Sequence, residues 1–153
     1  MKVSIDQIKK IRELTGAPVV RVKSVLEEVG GDENKAFKKL NKEGFEKLDM
    51  RQDRETKQGL VYAYTHHSGK VASIVEVLCE TDFVARNEIF KGLVHDLALQ
   101  IASMNPKDVK ELEKQEFIKD PSKKILDLVK EVRVKTGENI RLGRFSRISL
   151  GEK

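Results

Sequence analysis

A few side chains could in principle act in catalysis or bind a metal, but their surroundings argue against both. His66 and His67 are adjacent, so in a strand or turn they should point in different directions; this favours a polar turn or a partner contact over a chelating pair. His95 precedes Asp96 in a helical pattern, but a catalytic His–Asp pair needs a nucleophile. Cys79 lies within an apolar alternation and is expected to be a buried, unreactive thiol. No phosphate-binding or dinucleotide-binding glycine loop is present, so we expect neither an enzyme nor nucleotide binding by this chain itself.

The stretch from Thr81 to Asn87 (TDFVARN) could instead contact another protein. It joins a predicted strand to a predicted helix, where side chains are displayed on a rigid support. In one interpretation Thr81 caps a helical turn, Asp82 favours its positive N-terminal end, and Phe83 belongs to the core. In the other, Phe83 is exposed beside the Asp82 carboxylate and fills an apolar pocket of a partner. The pattern of residues leaves both interpretations open.

The elements around this stretch predict a small α+β layer. Alternating apolar residues predict strands, and apolar residues three or four positions apart predict helices. The elements expected are a hairpin of residues 60–65 and 71–80 around the turn His66–Gly69, a helix over 88–104 capped by Asn87, a helix from Asp120-Pro121 to Gly137, and a strand over 139–150 with a bulge near Gly143.

Three short helices are predicted before this layer, within the first 48 residues. Ser4 with Gln7 fits a capping box, Pro18 suits the first position of the second helix, and Asp32 can cap the third, which should end at Gly44. A core this small is marginal, which favours an adaptor-like module over a catalytic domain. Residues 49–58 are polar and predict a linker. The domains expected are therefore a helical module with linker over residues 1–52 and an α+β core over residues 53–153.

The composition and charge of the chain argue against several further classes of protein. The 153 residues are 39% hydrophobic and 36% charged, with a net charge of +5. Charges of both signs are interleaved, which is typical of a solvated helical surface rather than a nucleic-acid stripe. No apolar run approaches the roughly 20 residues of a spanning helix, and the N-terminus lacks a secretory signal. A single cysteine excludes a disulfide scaffold within the chain. We expect no membrane contact and a reducing cytoplasm.

Several segments, in order along the chain, carry a family resemblance. They are LTGAPVVRVKSVLEEVGGDENKAFKKL, YTHHSGK, LCETDFVARN with HDLALQIAS, EFIKDPSKKILDLV and KTGENIRLGRFSRISLGE. Together they resemble elongation factor Ts, the bacterial-type exchange factor for elongation factor Tu. The first segment resembles the family's N-terminal ubiquitin-associated-like module, and the last two resemble its closing helix and strand. The resemblance implies an α+β fold in which this three-helix module precedes a small antiparallel sheet packed with helices.

The resemblance also implies a function, guanine nucleotide exchange on elongation factor Tu. Asp82 and Phe83 are similar to an Asp-Phe pair that intrudes on the partner's G domain near its magnesium site. One of His66 and His67 matches a family histidine on the hairpin turn, and the spacing does not decide which. Mg²⁺ and GDP or GTP would belong to the partner, and this chain would need no cofactor or metal.

A second contact is implied for the N-terminal module. Val19 and Val20 match an apolar pair, commonly Met-Met, that contacts the G domain, and Lys23 matches a lysine near it. Pro18 stands where the family usually has Gly. The residues expected to bind the partner are therefore Val19, Val20, Lys23, His66, His67, Thr81, Asp82, Phe83 and Val84.

The core is shorter than in long members of the family. The region between Lys107 and Phe117 lacks the longer helical excursion, and only one hairpin-plus-helix unit is present. Short members are similar to half of the long core and pair as homodimers to complete it. The resemblance therefore implies a homodimer through the sheet made by the last strand.

An alternative function of another class is RNA binding by the last strand. Arg141, Arg144 and Arg147 alternate with Phe145, and such residues can stack on bases and pair with phosphates. A spacing of three places Arg144 on the opposite strand face unless Gly143 forms a bulge. We expect no direct contact with nucleic acid as long as the exchange-factor interpretation holds.

Overall fold

The N-terminal helices form where capping signals predict them, in a computed structural model that describes residues 2–49 and 54–152. These helices are α1 (Ile5–Thr15), α2 (Val19–Glu28) and α3 (Glu33–Asp49). Ser4 and Gln7 form the predicted capping box, because each side chain accepts the other residue's backbone N–H at 3.1 Å. The carboxylate of Asp32 accepts the backbone N–H of Lys35 at 3.1 Å and caps α3 as predicted.

Two details of these helices differ from the predictions. Pro18 is the N-cap of α2 rather than its first helical residue. The prediction that α3 ends at Gly44 is wrong, because the helix continues to Asp49. An interior glycine costs a helix about 1 kcal/mol relative to alanine but keeps its backbone N–H, so it does not block the helix. The buried apolar residues of the three helices are Ile11, Val22, Val25, Leu26, Ala36 and Leu40.

The predicted hairpin and closing strand form one antiparallel sheet, in which the second strand of the hairpin lies between the first strand and the closing strand. Its strands are β1 (Gln58–Thr65), β2 (Val71–Cys79) and β5 (Arg141–Ser149). Val75 lies opposite Phe145, whereas Val77 lies opposite Leu142, so β5 holds an extra residue between them. This confirms the predicted bulge near Gly143.

One face of the sheet packs against helices. Val75, Val77 and Cys79 are buried together with apolar residues of the long helix after β2. The helices of this layer are α4 (Asp82–Ala85), α5 (Glu88–Met104), α6 (Val109–Lys114) and α7 (Ile125–Thr136). Asn87 caps α5 as predicted, its side-chain oxygen accepting the backbone N–H of Ile89 at 2.8 Å.

The prediction that a helix begins at Asp120-Pro121 is wrong. Asp120 does not start a helix, since β4 (Asp120–Lys124) pairs there with β3 (Glu116–Phe117). The Asp120 carboxylate instead accepts hydrogen bonds from the backbone N–H and hydroxyl of Ser122, at 3.2 and 2.6 Å. Asp-Pro favours turns as well as helix starts, and here the turn is formed. The sequence did not predict α6, β3 or β4.

The α+β fold class, with N-terminal helices before a small antiparallel sheet, is confirmed. By contacts, residues 2–49 group with Arg133–Gly137 as one compact unit, and Arg54–Val132 groups with residues 138–152 as another. Residues 50–53 of the predicted linker lie outside the described residues. Within the described ranges, no helix combines the length and apolar character needed to cross a bilayer.

Candidate functional site

Phe83 points into solvent from the short helix that follows β2. It is 89% exposed, although the next residue, Val84, is only 9% exposed and belongs to the core. Thr81 caps α4 as predicted, because its hydroxyl oxygen accepts the backbone N–H of Val84 at 3.4 Å. Of the first interpretation, the Thr81 cap is therefore confirmed and the placement of Phe83 in the core is wrong. An exposed phenylalanine leaves about 2–3 kcal/mol of possible burial free energy unused, which favours a binding role.

Val84 has a different position from its neighbours in the candidate site. Its side chain packs into the core cluster beside Ala85. It anchors the turn from which Phe83 is displayed. The prediction that Val84 contacts a partner is not tested by this burial, but a supporting role agrees better with its position.

Asp82 lies beside Phe83 and carries its charge at the surface. Its carboxylate forms an ion pair with the Arg86 guanidinium at 2.5 Å, and both side chains are exposed. Exposed pairs of this kind contribute about 0–1 kcal/mol, so a partner's cation could replace Arg86 with little loss. The turn thus displays an aromatic ring and an exchangeable carboxylate side by side.

Glu138 contacts this turn from the segment between α7 and β5, and sequence reasoning missed it. Its Oε1 accepts the backbone N–H groups of Glu80 and Thr81 at 3.1 and 2.9 Å. Its Oε2 accepts the Thr81 hydroxyl at 2.6 Å. A carboxylate directly after the helix-ending Gly137 was the available signal, but no local pattern pairs it with residues so far away in the chain.

The hairpin turn after β1 presents the two adjacent histidines. The prediction that they point in different directions is wrong, because their ring centroids lie 4.0 Å apart. The strand ends at Thr65, so strand alternation no longer separates them. Nδ1 of His66 accepts the Ser68 backbone N–H at 3.2 Å and also contacts the Ser68 hydroxyl at 2.7 Å. His66 therefore stabilises its own turn, whereas His67 is exposed.

The N-terminal candidates lie together at the start of α2. Val19 and Val20 are both exposed, Val20 to 82%. Lys23 is also exposed and lies 4.0 Å from the carboxylate of Glu27, one helical turn further on. Two aliphatic side chains and a lysine ammonium are thus accessible on one exposed helix end.

The groups considered for catalysis take part in separate contacts. Cys79 is buried, and burial raises the pKa of its thiol to about 11, with the negative charge of Glu138 adding to the effect. Nδ1 of His95 lies 2.9 Å from the Tyr62 hydroxyl, and Asp96 forms an ion pair with Lys119 at 3.0 Å. Across the described ranges, no group of three or more His, Cys, Asp or Glu side chains is placed to hold a metal ion.

The residues of the RNA-binding alternative on the last strand form several contacts within the chain. Arg147 donates to the carbonyl oxygen of Ala102 at 2.9 Å and pairs with Glu152. Arg144 pairs with Glu76 at 3.2 Å, and Phe145 packs against the core cluster. Arg147 and Phe145 are thus partly buried, whereas the Arg144 side chain is 91% exposed beside Glu76.

Fold and site together define a small α+β protein of two units that displays an aromatic side chain on a supported turn. Comparison with known proteins gives the family. The family model described as Elongation factor TS matches residues 80–153. Elongation factor Ts of Thermotoga petrophila is 38% identical over 195 aligned positions that cover 99% of this chain and 98% of the relative. Elongation factor Ts of Leptospira biflexa is 40% identical over 196 positions, with 99% of each chain covered.

The chain therefore belongs to the elongation factor Ts family and is a translation elongation factor. These alignments are longer than the 153 residues of this chain, so the relatives contain segments with no counterpart here.

Proposed function

We propose that this chain is a guanine nucleotide exchange factor that binds elongation factor Tu·GDP in the cytoplasm and promotes GDP release. It acts by disturbing the Mg²⁺ and phosphate site of the partner and performs no covalent chemistry of its own. The observation that carries the proposal is the Phe83 ring, 89% exposed on a turn anchored in the core. Mg²⁺ and the nucleotide belong to the partner, and this chain contributes no cofactor.

Thermodynamic reciprocity sets what the contact must achieve. If the exchange factor lowers the affinity of its partner for nucleotide, bound nucleotide lowers the affinity of the partner for the factor by the same free energy. Moving a two-state equilibrium from 1:99 to 99:1 takes about 5.5 kcal/mol of differential affinity. One buried aromatic anchor contributes about 2 kcal/mol or more, so several elements must act together.

Different exposed groups contribute different parts of this effect on the partner. Phe83 wedges between elements of the partner near the metal, and the Asp82 carboxylate disturbs the Mg²⁺ environment. The histidine turn presses on the phosphate-binding side through His67, since His66 is engaged with Ser68. Val20 and its neighbours on α2 contribute affinity.

Release of a fluorescent GDP analogue from elongation factor Tu tests this assignment. Wild-type protein should accelerate release, and Phe83→Ala should slow the accelerated rate by about thirtyfold, which corresponds to about 2 kcal/mol. Met104→Ala is the matched control, because Met104 is also an exposed apolar residue but lies at the far end of α5, about 24 Å along the helix axis from its start. An unaltered rate for Phe83→Ala would disprove the wedge role.

We also propose that the chain forms a homodimer through the sheet face turned away from α5. Val61, Ile74 and Ile148 are exposed there, one on each of the three strands. Glu76 and Arg144 form an ion pair on the same surface, so these two side chains together add no net charge to it. A second copy presenting the same face would cover these apolar side chains.

A further inference from the structure

We propose that Glu138 is a positioning residue, which holds the turn that presents Asp82 and Phe83 in its exchange-competent conformation. This inference rests on the exchange function proposed above. Glu138 accepts three hydrogen bonds from the two residues before α4, from the backbone N–H groups of Glu80 and Thr81 and from the Thr81 hydroxyl. All three donors bind one carboxylate, at distances between 2.6 and 3.1 Å.

The carboxylate acts on α4 through the hydroxyl of Thr81. Because this hydroxyl donates its proton to Glu138, its lone pairs are directed toward the backbone N–H of Val84. Hydrogen bonds in such a chain polarise and strengthen one another. The length of the Thr81–Val84 contact, 3.4 Å, makes this capping bond weak by itself, and the bond to Glu138 fixes its direction.

A four-residue helix needs this kind of support. The first turn of a helix fixes several backbone dihedrals for one hydrogen bond and is unfavourable in isolation. α4 contains only Asp82–Ala85. The position of α4 is therefore determined by two contacts. Its residues Val84 and Ala85 pack into the core, and the Thr81 hydroxyl caps its first turn.

Glu138 is itself held in place by a reciprocal set of contacts. The Glu80 carboxylate accepts the backbone N–H of Asn139 at 2.6 Å, so residues 80 and 138–139 bind each other in both directions. The buried Asn139 side chain donates to the carbonyl oxygen of Arg54 at 2.9 Å. The Arg54 guanidinium lies 3.7 Å from the Glu80 carboxylate and offsets its charge.

Amide hydrogen exchange of the free protein tests the structural half of the inference without any partner. In Glu138→Ala, the amides of Thr81 and Val84 should exchange about tenfold faster, the effect of losing hydrogen bonds to a charged group. The amide of Leu97, in the buried part of α5, should keep its wild-type rate. Unchanged Thr81 and Val84 amides would overturn the inference. Equal acceleration at Leu97 would also overturn it, because Glu138 would then stabilise the fold as a whole.

Stimulated release of a fluorescent GDP analogue tests the functional half. Glu138→Ala should lower the maximal rate about tenfold and change the half-saturating concentration less than about twofold, since the turn is misplaced while other contacts remain. Thr81→Val should have the same effect, because it removes the hydroxyl that donates to Glu138 and caps α4. The double variant Glu138→Ala/Thr81→Val should be no slower than either single variant.

The experiments distinguish a failure of the proposed exchange function from a failure of the role proposed for Glu138. If wild-type protein does not accelerate release, the proposed function is wrong and the role of Glu138 in exchange is wrong with it. If wild-type protein accelerates release and Glu138→Ala does so equally well, only the inference is overturned. A change confined to the half-saturating concentration, or additive effects in the double variant, would likewise overturn it.

Discussion

Phe83 and Val84 are adjacent in the chain, but Phe83 is 89% exposed and Val84 is 9% exposed. Successive side chains of a helix are rotated by about 100° around its axis, so one turn can bury one residue and display the next. The displayed ring depends on the buried anchor, and the two residues should respond differently to truncation.

Val84→Ala should lower the free energy of unfolding by about 1–2 kcal/mol, because it removes buried methyl groups and leaves a cavity. Phe83→Ala should change it by less than about 0.5 kcal/mol, as expected for an exposed side chain. Urea unfolding of the two variants beside wild type measures both effects. Comparable destabilisation by Phe83→Ala would show that the ring has structural contacts in solution.

Val20→Asp should weaken binding more than it slows exchange. Placing a carboxylate on a contact that buries an aliphatic side chain should raise the half-saturating concentration in the GDP-release assay by about tenfold or more. The maximal rate should change by less than about twofold if this contact contributes uniform binding. Leu14→Asp is the control, an exposed aliphatic residue on α1. A lower maximal rate with an unchanged half-saturating concentration would contradict the assigned role.

Ile148→Glu should disrupt the proposed homodimer. Ile148 is 76% exposed in β5, and two carboxylates at a symmetric apolar contact would have to be buried or repel each other. Sedimentation equilibrium should show a dimer for wild type and for the Met104→Glu control, and a monomer for Ile148→Glu. A wild-type monomer at every concentration tested would rule the homodimer out.

The thiol of Cys79 should make stability fall at alkaline pH. Its pKa is raised by burial from the usual 9.0 to about 11, so above pH 9 the unfolded chain releases this proton while the folded chain keeps it. The free energy of unfolding should then fall by about 1.4 kcal/mol per pH unit between these two pKa values, relative to Cys79→Ala. Denaturant unfolding of both proteins at pH 8, 9, 10 and 11 measures the difference. Parallel curves would mean that the folded thiol ionises normally.

Gly59→Ala should destabilise the sheet, whereas Gly92→Ala should not. Gly59 has φ of 152°, and a Cβ there would overlap the carbonyl oxygen of Val77 on the neighbouring strand. The expected loss is about 3 kcal/mol or more from strain and displacement. Gly92 lies in α5 with open space around its Cβ position, so alanine there should stabilise by up to about 1 kcal/mol. Urea midpoints compare the two, and a stable Gly59→Ala would show that the strands can separate locally.

The elements themselves were largely predictable from the sequence, because their signals are local. The capping box of Ser4 and Gln7, the alternation through β2 and the cap at Asn87 each involve residues a few positions apart. The errors arose where one local signal supports two outcomes. Gly44 is compatible with a helix end or a helix interior, and Asp120-Pro121 with a helix start or a turn before a strand.

The candidate site likewise combines features that are visible in the sequence with contacts that only the fold brings together. The sequence offered Thr81 as one possible cap, made Asp82 and Phe83 candidates and carried the likeness to the elongation factor Ts family. It left open whether Phe83 is core or surface, because a four-residue helix is too short for periodicity to define a buried face. Tertiary structure decided this by burying Val84, and it brought Glu138 to Thr81 across 57 positions of sequence. Contacts at such separation depend on how the strands and α7 are arranged around one core, which no local pattern of residues encodes.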